Sequence, residues 1–156
     1  MAAWLFLGAS IAWLALLAAA AVAPDSTLAY LVMRFSSFLC HQQTDRSFHW
    51  NGEAVAVCAR CLGLYALAPL GAAAALAARR PLAQRRANLM LLAIAGFPTA
   101  ATWTAEHLAG WPMTNGIRFI AALPLGAAVA WLIAQTLADA PGRHVSQYTL
   151  PDARRG

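Results

Sequence analysis

Four apolar stretches punctuate the chain, separated by short polar segments. They run from Ala3 to Ala23, Ala54 to Ala78, Ala87 to about Ala105 and Ile117 to Leu137. Each is close to the roughly 20 residues that a helix needs to cross the hydrocarbon core of a bilayer. The first holds no charge, the second holds Arg60 near its start, and the fourth holds Arg118 at its edge. All are rich in alanine, which lets helix backbones approach closely in lipid. Pro69, Pro98 and Pro124 fall inside the last three, where membrane helices tolerate proline because neighbours satisfy the freed carbonyl. Between the first two stretches, Leu28 to Leu39 reads as a shorter apolar helix with a start at Pro24-Asp25-Ser26. It is too short to span and predicts an element lying against the bundle or re-entering it. The pattern predicts an all-α fold: a polytopic bundle of four transmembrane helices plus this short extracytoplasmic or re-entrant helix. Residues 1–140 form one membrane-embedded domain, with 24–53 as its long loop, and 141–156 form a polar tail.

Composition supports the bilayer as the solvent. Of 156 residues, 61% are hydrophobic and 11% charged, against about 45–50% and about 25% in soluble domains. Disorder is excluded by the same balance. The 11 basic residues are all Arg, so chemistry that needs a lysine is excluded, including Schiff bases and the phosphate-binding loop ending in Gly-Lys. The net charge of +5 flanks apolar segments and makes no basic face for nucleic acid. It reads as topology. Residues 79–86 hold four Arg, and Arg143, Arg154 and Arg155 lie in the tail, so these segments and both termini are expected in the cytoplasm. The first stretch lacks the positive start of a signal peptide and is longer than its usual core, which favours a retained anchor despite Ala21-Val22-Ala23.

That orientation gathers the chemistry. Cys40, Cys58, Cys61, His41, His49 and His107 all fall on the extracytoplasmic side, leaving His144 inside. Cys58-Ala59-Arg60-Cys61 opens a helix, so its sulfurs lie one turn apart on one face. Such a pair can ligate a tetrahedral metal or cycle through a disulfide, and a helix N-terminus beside an arginine activates a thiol. Leu62 stands where a c-type haem site needs histidine. With Cys40 the pair supplies three thiolates. Adding His41 gives the Cys3His set that binds zinc or another thiophilic metal, with His49 and His107 as alternative fourth ligands. The competing readings are a thiol–disulfide oxidoreductase using Cys58, Cys61 and a resolving Cys40, and buried thiols in a non-catalytic assembly partner. Asp45, Arg46, Arg60 and Glu106 are candidates for the surrounding shell. Glu106 is the expected partner for the two membrane-edge arginines, Arg60 and Arg118, because intramembrane charges are paired.

The strings Cys40-His41-Gln42, Arg46-Ser47-Phe48, Gly52 and Val57-Cys58-Ala59-Arg60-Cys61-x-Gly63-x-Tyr65 resemble the signature of small prokaryotic membrane proteins called domain of unknown function 2085. Pro98, Glu106, Asn115, Arg118 and Gly126 are similar to that family's second half, so the likeness covers about residues 34 to 130. It implies an integral protein of the prokaryotic cytoplasmic membrane with a Cys/His cluster and no particular activity. Thr102 stands where many relatives carry an acidic residue.

Overall fold

The computed structural model describes residues 1–78 and 85–139. The expected Arg-rich loop at 79–86 lies largely outside the described residues, as does the tail at 141–156. Helix α1 (Ala2–Val22) is followed by α2 (Thr27–Ser36), a 3-10 turn (Thr44–Arg46), strands β1 (Ser47–Trp50) and β2 (Glu53–Cys58), and helices α3 (Ala59–Ala66), α4 (Ala68–Ala78), α5 (Arg85–His107) and α6 (Asn115–Asp139).

Three of these helical segments are long and apolar enough to cross a membrane. They are α1, the α3–α4 run Ala59–Ala78, and α6, with mean hydropathies of 2.3, 1.8 and 2.0 over their most apolar windows. The fourth expected span, 87–105, is folded as α5, which is 23 residues long. Asn88, Thr99, Thr102 and Thr104 lower its apolar character and leave it outside that group. Helix α1 is hydrophobic all round, and Trp4, Leu5 and Ile11 are exposed along it. A surface of that kind is at home in lipid.

The expectation of an all-α fold needs one correction. Residues 54–58, read as the start of the second span, form β2 of a two-stranded antiparallel hairpin. Asn51 and Gly52 supply the reason, with φ of 50° and 89°. Two consecutive residues in the left-handed region make the tight turn whose twist suits a hairpin, and Asn-Gly tolerates it best. Trp50 then pairs with Glu53 and His49 with Ala54, and after an irregularity Ser47 pairs with Cys58. The second span therefore begins at Ala59. Its break at Leu67, between α3 and α4, follows from Pro69, which has no N–H for the carbonyl one turn earlier and crowds it.

Helix α2 starts where its cap predicts. Ser26 Oγ accepts the Ala29 N–H at 3.1 Å, satisfying one of the free donors of the first turn. Of its buried residues Ala29, Val32 and Ser36, the first two meet Leu17 and Ala20 of α1 and Ala56 and Val57 of β2 in one apolar cluster that includes Cys40. Trp13 and Tyr65 border this cluster and meet edge to face, with centroids 6.0 Å apart.

Helix α6 is the axis against which α3 and α4 pack. Glycine makes this possible: a Cβ on Gly63 would press on the Phe119 carbonyl, one on Gly71 on that of Ala127, and one on Gly126 on that of Leu64. Close backbone approach through small residues is how membrane helices gain packing energy without a hydrophobic driving force. Gly126→Val is expected to separate α3 from α6, lowering stability by about 1–3 kcal/mol. A lowered thermal midpoint in detergent measures this, and a wild-type midpoint contradicts the packing.

Candidate metal centre

Cys40 follows the end of α2 in a turn built around Gln42, whose φ is 50°. The Gln42 side chain holds that turn in place: its Nε2 donates to the Met33 carbonyl at 2.8 Å and to the Ala56 carbonyl at 2.9 Å. One amide thus ties α2 to β2. The turn aims backbone donors at sulfur, because Cys40 Sγ accepts the N–H of Gln42 at 3.4 Å and that of Cys58 at 3.2 Å. Gln42 had no assigned role in the sequence reading; its positive φ and its two carbonyl contacts exist only in the folded chain.

Cys58 is both the last residue of β2 and the N-cap of α3, and Cys61 lies in the first turn of that helix. The three sulfurs of Cys40, Cys58 and Cys61 lie within 4.8 Å of one another. A tetrahedral ion with metal–sulfur bonds of about 2.3 Å needs sulfurs about 3.8 Å apart, so side-chain adjustments of about an ångström would close the set. The cysteines are free thiols, with Cys40 buried and the other two half-buried. A hydrogen bond from the Cys61 side chain pulls the Cys58 thiol below its ordinary value; burial opposes this, and the Cys61 N–H, the Cys40 thiol and the Arg60 N–H assist. A lowered thiol favours the thiolate, the form that binds metal or attacks a disulfide.

The histidines divide. His41 lines the same cavity as the three cysteines but stands apart from their close cluster. His49 is exposed on β1, paired with Ala54. His107 is exposed at the end of α5, where its Nδ1–H donates to the Trp103 carbonyl at 2.9 Å and its ring stacks on Trp103 at 4.5 Å. Neither His49 nor His107 lines the cavity.

The charged residues assemble beside the thiols. Glu106, whose side chain is 8% exposed, accepts from Arg60 at 2.7 Å and from Arg118, and its Oε1 lies 3.6 Å from an Arg46 nitrogen. Three cations thus meet one carboxylate. Asp45 is exposed, and its carboxylate lies 3.8 Å from Arg46. Asn115 braces the cluster: its Oδ1 accepts from Arg118 at 2.7 Å, and its Nδ2 donates to the Ser47 carbonyl at 2.8 Å. That pair of bonds fixes the first turn of α6 to β1. No local pattern in the sequence distinguishes Asn115 from an ordinary helix start; its role comes from the packing of α6 against β1.

The cavity that joins these groups has a volume of about 310 Å³. Cys40, Cys58 and Cys61 line it together with His41, Arg46, Arg60 and Arg118. It is therefore a thiol site with a cationic wall. No curated protein and no solved structure matches the chain significantly. The sequence profile of a family described as a predicted membrane protein, DUF2085, matches residues 40–132, from the first of the three cysteines through most of α6. Its span covers the hairpin, the thiols, Glu106 and all three arginines, and the chain belongs to that family of membrane proteins.

Proposed function

We propose that this is a membrane protein that holds a thiophilic metal ion, zinc before others, through Cys40, Cys58 and Cys61. The observation that carries the reading is the convergence of three sulfurs within 4.8 Å from two separate parts of the chain. Thiolate ligands select zinc, copper(I) and similar ions, and a zinc ion takes four ligands when it is purely structural. His41 is the fourth donor that the cavity offers, being the histidine on its wall. The ion staples the loop after α2 to the mouth of the second span, so metal binding adds to folding free energy. A structural or metal-delivery role fits better than transport, because ionisable groups along the helices themselves are scarce.

In the membrane, α5 completes a four-helix bundle with α1, α3–α4 and α6. The excess of arginine at 79–86 and in the tail puts both termini in the cytoplasm and the thiol end outside it. Trp50, Trp103 and Trp111 then sit at the outer interface, and Trp4 and Trp131 toward the inner one, as aromatic belts do.

One observation favours a second reading. The lowered Cys58 thiol next to Cys61 is the arrangement a thiol–disulfide oxidoreductase needs, and an extracytoplasmic location permits disulfides. Two measurements separate the readings. Protein purified in detergent without chelator is expected to carry about one zinc per chain, and its thiols should react with alkylating agents only after chelation. Thiols that are metal-free as isolated, and that switch between reduced and disulfide forms in intact cells as redox conditions change, would replace the metal reading with the redox one.

A further inference from the structure

We propose that the cavity beside the thiols is a binding site for a small phosphate-like oxyanion, gripped by Arg46, Arg60 and Arg118. This goes beyond the metal reading and does not depend on it.

The arginines outnumber the carboxylate they share. Arg60 and Arg118 are 16% and 10% exposed and Arg46 is 31% exposed, yet the acid they share is a single Glu106. The remaining nearby acid, Asp45, is 76% exposed and lies 3.8 Å from Arg46, where water weakens its pull. Among the described residues, the cavity wall includes Arg46, Arg60 and Arg118 and no acidic residue. Three partly buried guanidinium groups beside one carboxylate are costly to bury, and an oxyanion in the cavity would offset part of that cost.

Hydrogen bonding points the same way. The Nε atoms of Arg46, Arg60 and Arg118 are all buried and lack a hydrogen-bond partner. Each guanidinium offers five donors in a rigid fork, and Glu106 draws on one terminal nitrogen of each. Buried polar groups of native proteins are nearly always satisfied. These three buried donors show that the single carboxylate leaves the guanidinium cluster under-satisfied, and the arginines that carry them line the cavity. An oxyanion with several oxygens suits planar guanidinium forks better than a single-point acceptor does. The framework is preformed: Asn115 holds Arg118, and Glu106 holds Arg60 and Arg118. A volume of about 310 Å³ admits an ion of phosphate size with water, or the phosphate of a short headgroup.

The test uses full-length protein in a non-ionic detergent that contains no phosphate. Radiolabelled inorganic phosphate is expected to bind saturably and to be displaced by sulfate, but not by chloride at the same ionic strength. Dihexanoyl phosphatidic acid, a soluble lipid phosphate, identifies the source: half-displacement far below the inorganic phosphate requirement assigns a headgroup, and the reverse assigns a free ion. Arg46→Gln removes the most exposed cation and the longest contact to Glu106, so the fold is expected to persist while half-saturation rises at least tenfold. The direct binding measurement on the unaltered protein does not depend on how that variant folds. Phosphate binding should persist after chelation, so failure of the metal reading leaves this result in place. Absence of saturable binding, equal displacement by chloride, or an unchanged half-saturation in folded Arg46→Gln would overturn the proposal.

Discussion

Glu106→Gln is expected to be among the most damaging single substitutions outside the cysteines, costing about 3–5 kcal/mol of stability. The change is nearly isosteric, so packing is preserved and the effect isolates charge. Glu106 is the acid common to Arg60, Arg118 and Arg46. Without it, three partly buried cations face one another with no counter-ion between them. The cost reflects the uncompensated charges left behind and not the worth of a pair in water. Removing one cation at the same time should recover part of the loss. Arg118→Met combined with Glu106→Gln is therefore expected to be less destabilised than the sum of the two single changes. A double-mutant cycle on thermal or denaturant unfolding in detergent measures this coupling. Strict additivity would show that the cluster is not an energetic unit.

Cys40→Ser is expected to abolish stoichiometric metal, with affinity falling by more than about 100-fold, the upper range for losing a mere supporting contact. Cys40 is the sulfur that arrives from outside the Cys-x-x-Cys pair, and it accepts two backbone N–H groups from Gln42 and Cys58. Serine is smaller than cysteine and is a poor ligand for a thiophilic ion. His41→Ala is expected to weaken binding less, because His41 stands on the cavity wall and outside the close trio of sulfurs. The measurement is competition with a zinc chelator of known affinity, with stability recorded in parallel. Metal content that survives Cys40→Ser would restrict the site to Cys58 and Cys61. Chelation should lower the unfolding midpoint of the unaltered protein, because metal binding is coupled to folding, and it should leave that of Cys40→Ser unchanged.

The hairpin is a feature that local sequence does not determine. Ala54, Val55, Ala56 and Val57 are apolar and run directly into the second span. A short apolar run does not declare whether it is strand or helix. Asn51-Gly52 predicted a turn, but pairing with β1 decides that the turn is a hairpin, and pairing is a contact between two segments. The consequence reaches the site: as the end of β2, Cys58 is directed by the ladder toward Cys40, in addition to capping α3. Contacts of the charged residues were partly accessible beforehand. Glu106 lies at the C-terminal end of a long apolar stretch, and an unpaired arginine in or beside a span is expensive, which singled it out as the partner of Arg60 and Arg118. That all three arginines share it, and that they do so against a cavity, required the packed helices.

By itself the sequence determined the solvent, the helical segments and the chemistry available. Apolar runs of membrane length, capping residues such as Ser26 and the Cys-x-x-Cys spacing are local features, and local features act through hydration and neighbouring backbone. Only the tertiary structure decided which polar groups meet. Cys40 joins Cys58 because Gln42 bridges α2 and β2, and Arg60 joins Arg118 because Gly63, Gly71 and Gly126 bring α3 and α4 onto α6. His49 and His107 share the chemistry of His41 but point elsewhere, since strand pairing and a stack on Trp103 hold them away from the cavity. Such encounters join residues distant along the chain, and their energies depend on the simultaneous fit of several elements. No window of sequence contains that fit.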